Sequence, residues 1–363
     1  MEKEGKRENI FERNPVKTVL VLLAGFFLAA DLGAGTWLHL RARGIGESHP
    51  YYHHGLRRSS TGRRDWGGMT RDVSANSLGF IDSGPRGVDP GNKAGLRRVL
   101  LLGDSFGEGV GVPYEETFAG LLQARLGPGY EVLNASVASY SPKLYYLRLK
   151  YLLEQDKLAF DRLYVLPDIS DVQDEVMYEY FQSRLSFPFY QRVRGFLRDY
   201  SVTVPFLYSR LGVNRISDTE KRTQFELWGS ETERYKERSS WLCSAEVRRK
   251  WGEKGLASAR DYMGRLAALC RERGIPLTIG VYPWPEQVLR GEMASLQVRF
   301  WRDLAREQGA GFLDLSPVFV GKKDPARVVK ENFIEGDVHW NAAGHRAVAE
   351  ALYRRISSDF ASR

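Results

Sequence analysis

A serine hydroxyl attacks a carbonyl only when a neighbouring base takes its proton, and at neutral pH that base is nearly always histidine. Ser105 lies in the run Arg98-Val99-Leu100-Leu101-Leu102-Gly103-Asp104-Ser105-Phe106, an apolar strand leading into a small polar turn. The chain has six histidines, His39, His49, His53, His54, His339 and His345. Four precede the strand that carries Ser105, which narrows the choice of base to the last two. His339 lies in Asp337-Val338-His339-Trp340-Asn341, where a carboxylate two residues upstream can orient the imidazole. His345 follows Gly344 inside a helical pattern and is read as a cap or packing residue. Ser105 as nucleophile, His339 as base and Asp337 as orienting acid describe acyl-transfer chemistry. Asp104 is read as a turn or cap residue with no direct catalytic role. Asp171 and Asp174 are read as local hydrogen-bonding or surface groups near the site.

These residues must be carried by a scaffold, and from residue 98 the pattern alternates strand with helix. Short β-rich apolar runs at 99–102, 130–133, 163–166, 277–282 and 311–315 have the character of buried parallel strands. Helical periodicities fall at about 115–126, 142–155, 255–272, 294–308 and 341–357. The alternation predicts an α/β domain over residues 98–360, with a five-stranded parallel sheet covered by helices on both faces. In such sheets ligands gather beyond the C-terminal ends of the strands, which is where Ser105 falls. An aromatic- and arginine-rich stretch at about 176–250 interrupts the rhythm and predicts a mostly helical insertion. It offers either a cap with stacking faces for sugar rings or aromatics that pack the insertion onto the sheet.

Composition sets the remaining bounds. In 363 residues, 53 Lys plus Arg against 45 Asp plus Glu leave a net charge of +8, spread along the chain. No nucleic-acid module appears, so a solvated basic surface is expected and no nucleic-acid partner. The two cysteines, Cys243 and Cys270, imply no disulfide framework and no metal-ligand spacing. No metal and no cofactor are expected.

Residues 18–40 form a 23-residue stretch whose one carboxylate is Asp31, long enough to span a bilayer. Lys3, Lys6, Arg7, Arg13 and Lys17 precede it, whereas Arg41 and Arg43 follow. This favours a cytoplasmic segment at 1–17, an anchor at 18–40 and a domain outside the cytoplasm, in a bacterial periplasm or at the cell surface. A cleaved signal peptide is the competing reading, since small residues at Ala29-Ala30 or Gly33-Ala34-Gly35 suit a peptidase. Residues 41–97, rich in turn signals, are expected to be a connector.

Gly103-Asp104-Ser105-Phe106-Gly107 formally matches the Gly-x-Ser-x-Gly elbow of α/β-hydrolases, but there the elbow follows several earlier strands and the acid lies well upstream of the histidine. The blocks Gly103-Asp104-Ser105-Phe106 and Asp337-Val338-His339-Trp340-Asn341 instead resemble the first and last signature blocks of SGNH/GDSL hydrolases. That resemblance spans roughly residues 76–357. It implies a flavodoxin-like three-layer sandwich and ester hydrolysis through an acyl-serine. It also implies an oxyanion hole built from the Ser105 N–H, a residue after the second strand and a side chain after the third. The corresponding positions here are Ser136, in place of the usual glycine, and Ser170, in place of the usual asparagine. Loss of one oxyanion donor costs about 3 to 4 kcal/mol. The Asp-x-His-Trp-Asn form is similar to the SGNH domains of alginate-type O-acetyltransferases. The substrate this implies is an O-acetyl or other acyl ester, on an extracytoplasmic glycan. Two alternatives are an O-acyltransferase acting on a surface polysaccharide and an inactive glycan-binding protein on the same fold.

Overall fold

The computed structural model describes residues 13–41, 44–211 and 218–361. Residues 1–12 of the expected cytoplasmic segment lie outside them. The chain forms two compact units, one combining residues 44–185 with the chain from 218 onward, the other combining the N-terminal helix with residues 186–211.

In the larger unit, the strands β1 (Gly46–His49) and β2 (His53–Leu56) form a separate hairpin. The strands β3 (Ser60–Trp66), β4 (Met69–Ala75), β5 (Ile81–Asp82), β6 (Arg97–Gly103), β7 (Tyr130–Asn134), β8 (Arg162–Leu166), β9 (Leu277–Val281) and β10 (Gly311–Asp314) form one sheet. Its order is β10-β9-β8-β6-β7-β5-β4-β3. The five strands from β10 to β7 run parallel, whereas β5, β4 and β3 continue the sheet antiparallel. Residues 41–97 are therefore more than the connector expected from sequence. Their short, polar, half-buried strands carry little hydrophobic signal of their own and gain order by pairing on the edge of β7, where Ile81 faces Asn134.

The parallel strands follow the order second, first, third, fourth, fifth, so β6 is central. The chain leaves it to one side for β7 and to the other for β8. The C-terminal end of β6 is thus a topological switch point, the place where open α/β sheets bind ligands. Residues 98–103 of β6 are all buried, and successive side chains enter opposite layers. Leu100 and Leu102 pack with Leu144, Leu149, Met263 and Trp301, whereas Val99 and Leu101 pack with Phe118, Leu122, Val348 and Leu352. The covering helices are Pro142–Glu154, Glu253–Glu272 and Leu296–Glu307 on the first layer, and Phe118–Leu126 and Ala342–Ala361 on the second. The architecture is an α/β sandwich around a mostly parallel sheet.

The aromatic insertion divides. Trp228 and Trp241 are buried against the sheet layer that also holds Phe106 and Trp340. Residues 186–211 fall in the second unit with the helix Pro15–Arg41. That helix is long and apolar enough to cross a membrane.

Candidate active site

The turn after β6 is built by Asp104. Its carboxylate accepts the Phe106 N–H at 3.0 Å and caps the short helix Ser105–Glu108, which leaves Ser105 half-exposed between buried neighbours. Gly109 closes that helix in the left-handed region at φ 80°, where the Thr117 methyl fills the space a side chain would need.

The partner loop, 333–341, is held from both ends. Phe333 and Trp340 form an antiparallel bridge, the Ile334 N–H donates to the His339 carbonyl at 2.9 Å, and the Asp337 N–H donates to the Ile334 carbonyl at 3.0 Å. Asn341 accepts from the Ala343 and Gly344 N–H groups at the start of the terminal helix, while its amide donates to the carbonyls of Glu331 and Phe333. The loop is thereby fixed to a rigid helix, and the His339 ring is clamped between Phe106, 4.6 Å away, and Trp66, 4.9 Å away.

Across 234 residues of sequence, the Ser105 Oγ and His339 Nε2 stand 2.8 Å apart. His339 Nδ1 is 2.6 Å from Asp337 Oδ1, which also accepts the His339 backbone N–H at 3.2 Å. The second oxygen of Asp337 accepts the Trp66 indole N–H at 2.8 Å. Half-burial would raise the Asp337 pKa, but the hydrogen bond and charge of His339, together with the Trp66 donor, outweigh it and hold the carboxyl at about 2. Asp337 is therefore ionised at neutral pH, as an orienting acid must be. His345 lies apart from this chain: its Nδ1 accepts the Phe118 N–H at 3.2 Å, and burial holds it neutral with a pKa near 3.

Beneath Ser105 sits a feature that sequence reasoning missed. Asp104, Asp168 and Asp171 are buried with one oxygen each inside 4.8 Å of the others. Tyr282 Oη is 3.2 Å from Asp104, the Trp284 indole N–H donates to Asp168 at 2.7 Å, and Tyr145 Oη is 2.7 Å from Asp171. Burial, reinforced by the Asp168 charge, pushes Asp104 up to about 8, and burial with the charges of Asp104 and Asp168 lifts Asp171 well above the carboxylate range. Asp104 also meets the nucleophile, its Oδ2 accepting from the Ser105 Oγ at 2.9 Å. A charged Asp104 would compete with His339 for the serine proton. Burial, by raising the Asp104 pKa, weakens it as a competitor. Periodicity carried no trace of this trio, since its members lie on two different turns and a helix start. Trp66 was equally hidden on an edge strand.

The two other residues expected at the oxyanion are engaged elsewhere. The Ser136 N–H donates to Asn134 Oδ1 at 3.2 Å, and its buried Oγ has no partner. The Ser170 N–H and Oγ both donate to Asp168 Oδ2, at 2.9 and 2.5 Å. The Ser105 N–H opens a helical first turn and has no intrahelical acceptor.

No protein-family model matches this sequence, and no curated protein does. Solved structures similar to it include a lipolytic protein of the G-D-S-L family from Desulfitobacterium hafniense, 12% identical over 71% of this chain and 98% of that one, with a TM-score of 0.39. An acetylxylan esterase from Geobacillus stearothermophilus is 14% identical over 74% of this chain and 96% of its own, with a TM-score of 0.37. A carbohydrate acetylesterase family member from Sinorhizobium meliloti is 16% identical over 72% and 97%, with a TM-score of 0.38. Likeness this remote leaves function to be argued from the site.

Proposed function

We propose that this chain is a serine esterase of SGNH/GDSL type, anchored in a membrane by its N-terminal helix with the α/β unit outside the cytoplasm. The observation that carries the catalytic reading is the continuous hydrogen-bonded line from Asp337 through His339 to Ser105. As the Ser105 Oγ attacks the ester carbonyl, its proton passes to His339 Nε2, and the ionised Asp337 stabilises the imidazolium. Collapse of the tetrahedral intermediate expels the alcohol, which takes the proton from Nε2. Water then adds to the acyl-serine with His339 again as base, and the acid product leaves Ser105 regenerated.

The developing oxyanion takes the Ser105 N–H first. Of the two other expected donors, the Ser136 N–H is the cheaper to recruit, because it leaves a neutral amide acceptor at 3.2 Å, whereas the Ser170 hydroxyl would leave a carboxylate at 2.5 Å. The substrate class is an O-acetyl ester, on an extracytoplasmic glycan. This finer reading is supported by the similarity of the Asp337-to-Asn341 block to alginate-type O-acetyltransferase domains and by the basic residues that precede the apolar helix. A transferase would keep the same roles and let a sugar hydroxyl replace water, and free acetate released without any glycan acceptor marks hydrolysis.

The test is intact mass after reaction of the full chain with a fluorophosphonate. One adduct on the wild type and none on Ser105→Ala or His339→Ala is the expected result. A folded wild type that stays unmodified overturns the proposal.

A further inference from the structure

Neither the helix Phe189–Tyr200 nor the helix Thr203–Arg210 contains a buried residue. Phe189, Val193 and Phe196 recur at helical spacing on one face of the first, with Phe189 73% exposed, and Phe206, Leu207 and Leu211 are further exposed apolar side chains of the same segment. An exposed apolar surface of this kind marks a place where something docks. Around it stand Arg192, Arg194, Arg198 and Arg210 against a single carboxylate, Asp199. The guanidinium groups of Arg192 and Arg210 lie over the rings of Phe189 and Phe206, at 5.8 and 5.4 Å, as cations at an apolar boundary do.

The same segment is bound to the C-terminal half of the helix Pro15–Arg41. Asp31 Oδ1 accepts the Val202 N–H at 3.1 Å, the Thr203 N–H at 2.8 Å and the Thr203 hydroxyl at 2.7 Å. Gly35 touches the Tyr200 carbonyl so closely that a Cβ would lie 2.2 Å from its oxygen, and the His39 ring is 4.7 Å from that of Tyr200. Positions 31, 35 and 39 share one helix face, while Val19 to Leu23 and Phe26 to Leu28 are exposed. A carboxylate in an apolar span is costly unless it is paired, and here backbone and hydroxyl donors pair it.

We propose that residues 186–211 lie at the boundary of hydrocarbon and headgroups in a bilayer containing anionic phospholipid, with the apolar face inserted and the arginines on the phosphates. The depth follows from the tether, which runs from His39, at the end of the span and against Tyr200, to Asp31, well inside it and bonded to Val202 and Thr203, so the segment reaches from the headgroups into the hydrocarbon. The arginines select negative lipid. The proposal rests on the reading of Pro15–Arg41 as a retained membrane span.

The experiment uses the full chain carrying Cys243→Ser, with a nitroxide placed singly at Phe196→Cys, Leu207→Cys, Arg194→Cys or Phe26→Cys. The protein is reconstituted in nanodiscs of phosphatidylcholine with or without one quarter phosphatidylglycerol. Relative collision with oxygen and with a soluble nickel chelate reads depth. Expected are labels at 196 and 207 that collide preferentially with oxygen, a label at 194 that collides with nickel, and a several-fold fall in the oxygen preference at 196 and 207 when phosphatidylglycerol is left out. If 196 and 207 meet nickel as freely as 194 while 26 stays in lipid, the docking proposal fails and the anchor stands. If 26 itself meets nickel, both fail. Depths at 196 and 207 that ignore phosphatidylglycerol overturn the anionic component.

Discussion

The Trp66 indole donates to Asp337 Oδ2 at 2.8 Å, on the carboxylate oxygen that His339 Nδ1 does not contact. An edge strand of the antiparallel extension thus completes the support of the orienting acid. Trp66→Phe keeps a ring against His339 but removes the donor. Because Trp66 is 37% exposed, solvent screens part of the loss, and a fall in kcat of about 3- to 10-fold is expected from a hydrogen bond to a charged group. Steady-state rates on an acetyl ester check it, and a Trp66→Phe rate equal to wild type would place Trp66 outside the machinery.

The triad should fail unequally. Ser105→Ala should remove turnover and fluorophosphonate labelling together. Asp337→Asn should lower kcat by about 10⁴-fold, because an amide cannot hold the imidazole in the required tautomer. An Asp337→Asn enzyme within tenfold of wild type would argue that another group orients His339.

Ser170 should matter less than its position suggests. A working oxyanion donor is worth about 10²- to 10³-fold in kcat, but the Ser170 hydroxyl is committed to Asp168 at 2.5 Å. Ser170→Ala should therefore cost less than about tenfold, and a loss of the full 10²-fold or more would assign it to the oxyanion.

The buried acids predict a pH dependence of stability. In the folded protein Asp104 has a pKa raised to about 8 from an ordinary value of 3.8, and Asp171 is raised in the same direction. The folded state binds these protons more tightly than the unfolded chain. Their contribution is fully present below pH 3.8 and is lost as pH rises towards 8. The urea midpoint should fall between pH 5 and pH 8.5, and Asp104→Asn should flatten that fall. An equal slope in the variant would remove Asp104 as its source. Asp337, held near 2, acts oppositely, and its contribution is lost only as pH falls from about 3.8 through 2.

Gly107 and Ser136 form a tight pair between the elbow helix and the loop after β7. A Cβ on Gly107 would stand 2.5 Å from the Ser136 Oγ and 2.8 Å from its Cβ. Gly107→Ala should destabilise by about 1 to 3 kcal/mol through overpacking, and adding Ser136→Gly should restore most of it. Denaturant midpoints of the two single variants and the double variant check the coupling, which no rescue would refute.

The sequence by itself determined the parallel half of the sheet. The runs at 99–102, 130–133, 163–166, 277–282 and 311–315 are short, largely apolar segments, the pattern that strands covered by helices on both sheet faces leave. β6, β7, β8, β9 and β10 lie over them. It also singled out Ser105, Asp337 and His339, because a strand-to-turn serine and a late Asp-x-His are local signals. Contacts that join distant, locally unremarkable residues were decided only by the tertiary structure. Pairing with β7 turned the polar stretch 60–82 into sheet and brought Trp66 to Asp337. Crowding at the ends of β6 and β8 set Asp104 against Asp168 and Asp171, and burial there raises the pKa of Asp104 and Asp171. The aromatic insertion was split in the same way: its tryptophans at 228 and 241 went into the core, while its helices at 189–210 went to the N-terminal helix through Asp31. Hydrophobic period reports how one element is buried, and it carries no record of which distant side chain will stand beside it.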